Sequence, residues 1–186
     1  MARTYERPPW RIEITTRPGV EPPVAGDRLA DDIRAALDAG RAPSPADVGL
    51  VLSDDAELAR LNERAMGRPE PTDVLSFPLL PASAFPAHEG QGPDLRQKAP
   101  SPDFVLPPGE SVHLGEIVVS VERAIAQAEA GRGGQTGDVR WSVAQELRLL
   151  VTHGCLHLCG WDHADPVEEA AMRGLERGLL GEGSVG

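Results

Sequence analysis

Three of the chain's five histidines fall within one short stretch, His153-Gly-Cys-Leu-His157-Leu-Cys-Gly160-Trp-Asp-His163. The spacing is His-x3-His-x5-His. Three imidazoles from one segment can bind a metal ion and leave a coordination position open for water or substrate. Open positions mark catalytic sites rather than closed structural ones. Such an ion brings the pKa of its water to roughly 7 and polarises phosphoryl or carbonyl oxygens. The chemistry in reach is therefore hydrolysis at neutral pH. Zinc is the first choice for three imidazoles, and nickel, copper or cobalt also suit them.

The elements around the motif must converge its side chains. From Trp141 to Thr152, apolar residues at Val143, Ala144, Leu147, Leu150 and Val151 follow helical spacing. If this helix continues, His153 and His157 project from one face, four residues apart. Gly160 can take the left-handed conformation that ends a helix and turns His163 back toward them. Cys155 and Cys159 sit two residues off the histidines, a rotation of about 200° at 3.6 residues per turn. They read as small buried apolar residues facing away from the site. Asp162 and Asp165 are near enough to orient an imidazole, and serve equally well as a surface acid and a helix cap.

The same histidine spacing serves one group of metallopeptidases, where a glutamate after the first histidine is the general base. Here that residue is Gly154, which cannot take a proton. Glu146 lies about two turns earlier, too far to replace it. Peptide hydrolysis by that route is disfavoured.

The 186 residues are 40% hydrophobic and 25% charged, ordinary for one globular domain. The formal charge is −11 and the sequence pI about 4.9. Broad nonspecific nucleic-acid binding, which needs many Lys and Arg on phosphates, is disfavoured. A local site beside a divalent cation is not, because the ion is itself the largest nearby charge. There is no apolar leader and no apolar run long enough for a membrane span, so the expected location is cytoplasmic. Two cysteines give no disulfide framework.

Trp10–Thr16 alternates as a strand, and 17–26 reads as loop. Arg28–Gly40 reads as a helix, Asp47–Ser53 as a strand. Asp54 or Asp55 caps a further helix with Leu58 and Leu61 on its apolar face. Val74–Leu79 is the third strand. Residues 80–112 carry Pro81, Pro86, Pro93, Pro100, Pro102, Pro107 and Pro108 and read as a long flexible insertion. Gly115–Val121 is a fourth, continuously apolar and therefore central strand. A helix over 121–130, a glycine-rich loop over 131–138, the histidine helix and a last helix from Asp165 to Leu180 follow. Ala171, Leu175 and Leu179 point inward on the last one. The order predicts a single α+β domain over 1–186, a small mixed four-stranded sheet packed with about five helices.

Three blocks together resemble the YbeY family of bacterial endoribonucleases. The histidine block resembles its His-Gly-x-Leu-His-Leu-x-Gly-Tyr-Asp-His signature. Pro71-Thr-Asp-Val-Leu-Ser-Phe-Pro78 matches the second, and Leu114-Gly-Glu-Ile-Val-Val-Ser120 resembles the third. The resemblance runs from about residue 45 to the C-terminal helix. It implies a single-strand-specific, metal-dependent endoribonuclease acting in 16S rRNA 3′-end maturation and ribosome quality control. It also implies one zinc per subunit on His153, His157 and His163, and partners in small-subunit rRNA, the ribosomal small subunit or assembly proteins. There are departures. An arginine that many members carry before the second block is replaced by Met66. Some branches carry Arg-x-Met, which Arg64-Ala-Met66 matches, so Arg64 is the catalytic candidate for holding phosphate, with Arg68 second; both also read as solvated helix residues. Glu116 stands for Asp and Trp161 for Tyr. Ser76 and Thr72 either line the site or make local strand and turn bonds. Two other functions compete with the ribonuclease: a non-catalytic ribosome assembly factor with a structural metal, and a metallopeptidase.

Overall fold

The computed structural model describes residues 1–89, 91, 111–131 and 142–181. The strands are β1 (Ala2–Arg7), β2 (Trp10–Thr16), β3 (Ala46–Ser53), β4 (Val74–Pro78) and β5 (Val112–Ser120). The helices are α1 (Gly26–Ala39), α2 (Asp55–Met66), α3 (Val121–Glu129), α4 (Val143–Leu158) and α5 (Pro166–Leu180). A single 3-10 turn spans Ala82–Ala84. One five-stranded mixed sheet runs β1-β2-β3-β5-β4. Its inner pairs β2–β3 and β3–β5 are parallel, and its outer pairs β1–β2 and β4–β5 antiparallel.

Among the described residues the expected α+β class and five helices are present, but the sheet has five strands rather than four. The added strand is β1, whose sequence Ala-Arg-Thr-Tyr-Glu-Arg is polar and largely exposed. It pairs only with β2, and a charged edge strand shows no hydrophobic alternation. β2 alternates as its sequence dictates: Trp10, Ile12 and Ile14 are buried between exposed neighbours. β5 lies inside the sheet, between β3 and β4, which explains its unbroken apolar run. It starts at Val112, so the proline-rich stretch ends one residue earlier than expected.

That stretch is also less loose than its prolines imply. Phe85 is buried in the main core and Leu80 packs against it, although Pro81, Ala84, Pro86, Ala87 and Glu89 are exposed. Prolines forbid regular elements, not packing. The rest of the insertion, the 132–138 loop and Trp141 lie outside the described residues.

Capping fixes where the helices start. Asp54 accepts the Glu57 amide at the head of α2. Asp55 instead pairs with Arg123 on α3. Ser142 and Gln145 form a reciprocal capping box on α4, and Asp165 accepts the Val167 and Glu168 amides on α5. α4 is the central helix. It packs against α1, α3, α5, β4 and β5, and buries residues all round. α2 covers the opposite sheet face through Leu58, which meets Leu75 and Val118.

The loop after β2 is tied to α2 by a two-pronged pair, Arg17 Nε and Nη2 donating to Glu57 at 2.8 and 2.7 Å. Arg17 holds the Glu57 carboxyl below its ordinary range. A carboxylate depressed in the folded state stabilises above its unfolded pKa, and that gain is lost as pH falls through the folded value. Arg17→Met is therefore expected to cost about 0.5–1 kcal/mol at neutral pH, as for half-exposed pairs. Parent and variant should differ most above the ordinary glutamate range and converge only as pH falls through the depressed Glu57 value, as read by urea denaturation across pH.

Candidate metal centre

α4 delivers two of the three histidines. His153 and His157 lie one turn apart on its last two turns. The helix ends at Leu158, and Gly160 turns the chain with a left-handed φ of 83°. The loop then carries His163 back, so that one ligand atom from each ring lies within 4.8 Å of the others. Burial is graded: His153 is buried, His157 half-buried and His163 exposed. The triad therefore opens to solvent on one side.

The far side of two rings is fixed. His153 Nδ1 lies 2.7 Å from Glu176 Oε1, and His157 Nδ1 2.8 Å from the Trp161 carbonyl. A carboxylate and a carbonyl can only accept, so both Nδ1 atoms carry the proton. The two Nε2 atoms face each other at 3.0 Å, and in the neutral form of each ring they are the atoms that carry the free lone pair. Burial first, and the neighbouring His153 second, push His157 down to about 4, which keeps it neutral. Two opposed lone pairs repel, and a cation between them turns the repulsion into coordination. Zinc–imidazole bonds of about 2.0–2.1 Å place tetrahedral donors roughly 3.3 Å apart. The donor set fits such an ion, and the His153–His157 pair is already near that spacing, with His163 within 4.8 Å to complete it.

Glu176 is the residue that sequence reasoning missed. It is 3% exposed, deep in α5. Leu175 and Leu179 do pack against the main core, half-buried, but the deepest positions of α5 are Glu168, Met172 and Glu176, spaced four apart. The available signal was this i, i+4, i+8 register, masked because glutamate reads as solvated. Asp162 and Asp165 do not orient a ring among the described residues. Asp162 accepts the His163 backbone amide at 2.7 Å, and Asp165 caps α5.

A cleft of about 660 Å³ opens over the triad. Its walls include Met66, Thr72, Asp73, the edge strand β4, Leu80 and Trp161. Ser76 and Thr72 do line it, and both are locally bonded: Ser76 Oγ donates to the Gly154 carbonyl at 2.9 Å, and Thr72 Oγ1 to Asp73 at 3.3 Å. Arg64 and Arg68 are exposed and neither lines the cleft; Met66 does, with 64% of its surface exposed. Among the described residues that line the cleft there is no Lys or Arg. Glu116 is remote from it, on the sheet face where it meets His113 at 3.0 Å.

Gly154 has a packing reason. A Cβ there would lie 2.7 Å from Ile117 Cγ2, 3.0 Å from Val74 Cγ2 and 3.2 Å from Ser76 Oγ. α4 approaches the sheet so closely that no side chain fits, let alone a glutamate. Gly154→Ala is expected to lose about 1–2 kcal/mol in chemical denaturation. Overpacking costs roughly 1–3 kcal/mol, and helix propensity returns part of it. The cysteines face the other way. Cys155 and Cys159 are buried, and Cys155 Sγ lies 3.8 Å from the Ile33 carbonyl. Contact with Cys159, and burial, push the Cys155 thiol well up, which keeps it a thiol.

Comparison with known proteins agrees with these blocks. A family model, endoribonuclease YbeY, matches residues 23–183. The endoribonuclease YbeY of Thermobifida fusca (strain YX) is 37% identical over 169 residues, covering 91% of each chain. That of Mycobacterium sp. (strain KMS) is 36% identical over 172 residues, 92% of this chain and 82% of the relative. That of Dehalococcoides mccartyi is 33% identical over 162 residues, 87% and 83%. With the match spanning most of the chain, and the histidine block at the cleft floor, the protein belongs to the endoribonuclease YbeY family.

Proposed function

We propose that this protein is a metal-dependent endoribonuclease that cleaves single-stranded RNA, acting on small-subunit rRNA near the 16S 3′ end and in ribosome quality control. The observation that carries this reading is the convergence of three imidazoles at the floor of an open cleft, two with their outer nitrogens fixed. Named as endoribonucleases, the relatives point to RNA as substrate. Zinc on His153, His157 and His163 is the ion of choice, one per chain, with nickel an alternative. Residues 1–186 act as one domain, working in the cytoplasm with ribosomal or assembly-protein partners; no helix among the described residues is long and apolar enough to cross a membrane.

When bound, the ion supplies Lewis acidity toward a phosphoryl oxygen and a water of lowered pKa. The chain's own residues prepare the site. Glu176 and the Trp161 carbonyl hold the two Nδ1 protons and so aim the Nε2 lone pairs into the cleft. β4, with Met66, Thr72 and Asp73, forms the wall along which a single strand would lie. Arg64, named by the resemblance, acts on phosphate only if the substrate extends past the cleft mouth. The peptidase reading has no base, because Gly154 is packed shut. The assembly-factor reading draws support from the acidic charge and from the lack of cations on the cleft walls.

One experiment decides among them. Zinc-loaded protein and an identically purified His157→Ala variant are incubated with a single-stranded RNA spanning the rRNA 3′ end, and with casein. Cleavage of RNA lost in the variant supports the ribonuclease. Equal cleavage by both marks a contaminant. No cleavage by the parent, with rRNA maturation still dependent on it in cells, supports the assembly factor.

A further inference from the structure

A second histidine–glutamate pair lies beside the triad and belongs to none of the motifs. His88 Nε2 meets Glu168 Oε1 at 2.6 Å, and each side chain is only 7% exposed. His88 comes from the proline-rich stretch, Glu168 from the first turn of α5. The His88 ring stacks on Trp161 with centroids 4.0 Å apart and planes 19° off parallel. Glu168 Oε1 also accepts the Asp162 backbone amide at 2.8 Å. Trp161 and Asp162 are the two residues that lead into His163.

Both contacts end on the metal site. The Trp161 carbonyl accepts the His157 Nδ1 proton, so a shift of the Trp161 backbone moves that imidazole's partner. The Asp162 amide sets the path of the backbone into His163. The segment that presents His88 is itself anchored. Phe85 is buried in the core, Arg41 Nη2 donates to the Ala87 carbonyl at 3.4 Å, and Ala82 packs on Gly160 so closely that a Cβ there would sit 3.1 Å from it. A loop of half-buried and exposed residues is thus held from behind by a buried, charge-capable pair.

We propose that His88 is a positioning residue of the metal centre: through its stack on Trp161 and its bond to Glu168, it holds the 160–163 loop so that His157 and His163 converge with His153. The role rests on the reading of the triad as a metal site. It gives the proline-rich stretch a task, as a strut behind the third ligand. Partners one step behind the ligands typically change metal affinity by 10–100-fold when removed.

The test uses the full chain with zinc, and separately with cobalt(II) as a spectroscopic probe. His88→Ala is expected to raise the zinc Kd about tenfold by chelator competition and to alter the visible cobalt band. It should lower kcat on single-stranded RNA while leaving KM near the parent value, with a modest fall in the metal-free melting temperature because buried Glu168 loses a partner. His88→Phe keeps the stack and drops the bond to Glu168, and should fall between. Glu168→Gln, which keeps an acceptor for the Asp162 amide, gives a second route if His88→Ala fails to fold. Parent-like zinc affinity and cobalt spectrum in these variants overturn the proposal, even if the melting temperature falls, because His88 would then only pack. Failure of the parent itself to take up zinc or cobalt overturns the metal reading and this inference with it; uptake by the parent without RNA cleavage removes the ribonuclease reading and leaves the positioning role standing.

Discussion

His157→Ala is expected to abolish stable metal binding and to reduce RNA cleavage by on the order of 10³-fold. Removing His157 leaves His153 on α4 and His163 on the loop that follows, two donors, too few for a site that depends on three. Charge stabilisation by a metal is worth several kcal/mol in a transition state, and each 1.36 kcal/mol is tenfold in rate. The fold should survive. His157 is half-buried on the cleft side of α4, and its alanine replacement opens space toward solvent rather than in the core. The measurement is elemental analysis of untagged protein beside single-turnover cleavage of single-stranded RNA. Retained metal with retained cleavage would remove His157 from the site.

Glu176→Ala should have the second largest effect, through a residue that touches neither metal nor substrate. The His153 Nδ1 proton loses its acceptor 2.7 Å away, inside a position only 3% exposed. Two losses follow. The ring is free to rotate and its basicity falls, which weakens metal affinity by about 10–100-fold. A buried donor loses a strong bond, which costs about 1–3 kcal/mol. Glu176→Gln retains a side-chain carbonyl acceptor and should recover most of the stability but less of the affinity, since it lacks the charge. Zinc competition and thermal denaturation of the metal-free protein separate the two contributions. An unchanged zinc affinity in Glu176→Ala would show that α4 alone orients His153.

What the sequence made legible follows from what each pattern reports. β2 was readable to its end residues because alternation at Trp10, Ile12 and Ile14 directly records one buried face. The α2 and α5 starts were readable from Asp54 and Asp165, because a cap bond is local. The three histidines were readable because helical spacing and one glycine turn suffice to gather them. β1 was not, since an edge strand with charged side chains shows no alternation and its anchors, Tyr5 on the core and Arg7 on Asp27 and Asp31, lie far along the chain. Glu176 was not, since its burial is decided by α4, which the local sequence of α5 does not contain. The folded part of the proline-rich stretch was hidden for a similar reason: Phe85 and His88 find their partners far away along the chain. Arg64 shows the converse. A resemblance in one dimension selected it, and the helix turns it to solvent, leaving Met66 at the cleft.

That no lysine or arginine lines the cleft among the described residues has a consequence for how the protein competes for RNA in salt. Affinity for a nucleic acid normally draws on the release of ions condensed on its phosphates, with a slope of about −0.7 per contacted charge on single strands. A groove that contacts few phosphates with fixed cations releases few such ions. Added salt should therefore weaken binding to a short single strand only slightly, and polyanions should be poor competitors. Selectivity would then reside in whatever brings a strand's end to the groove. That is an economical arrangement for an enzyme meant to ignore most of the RNA around it.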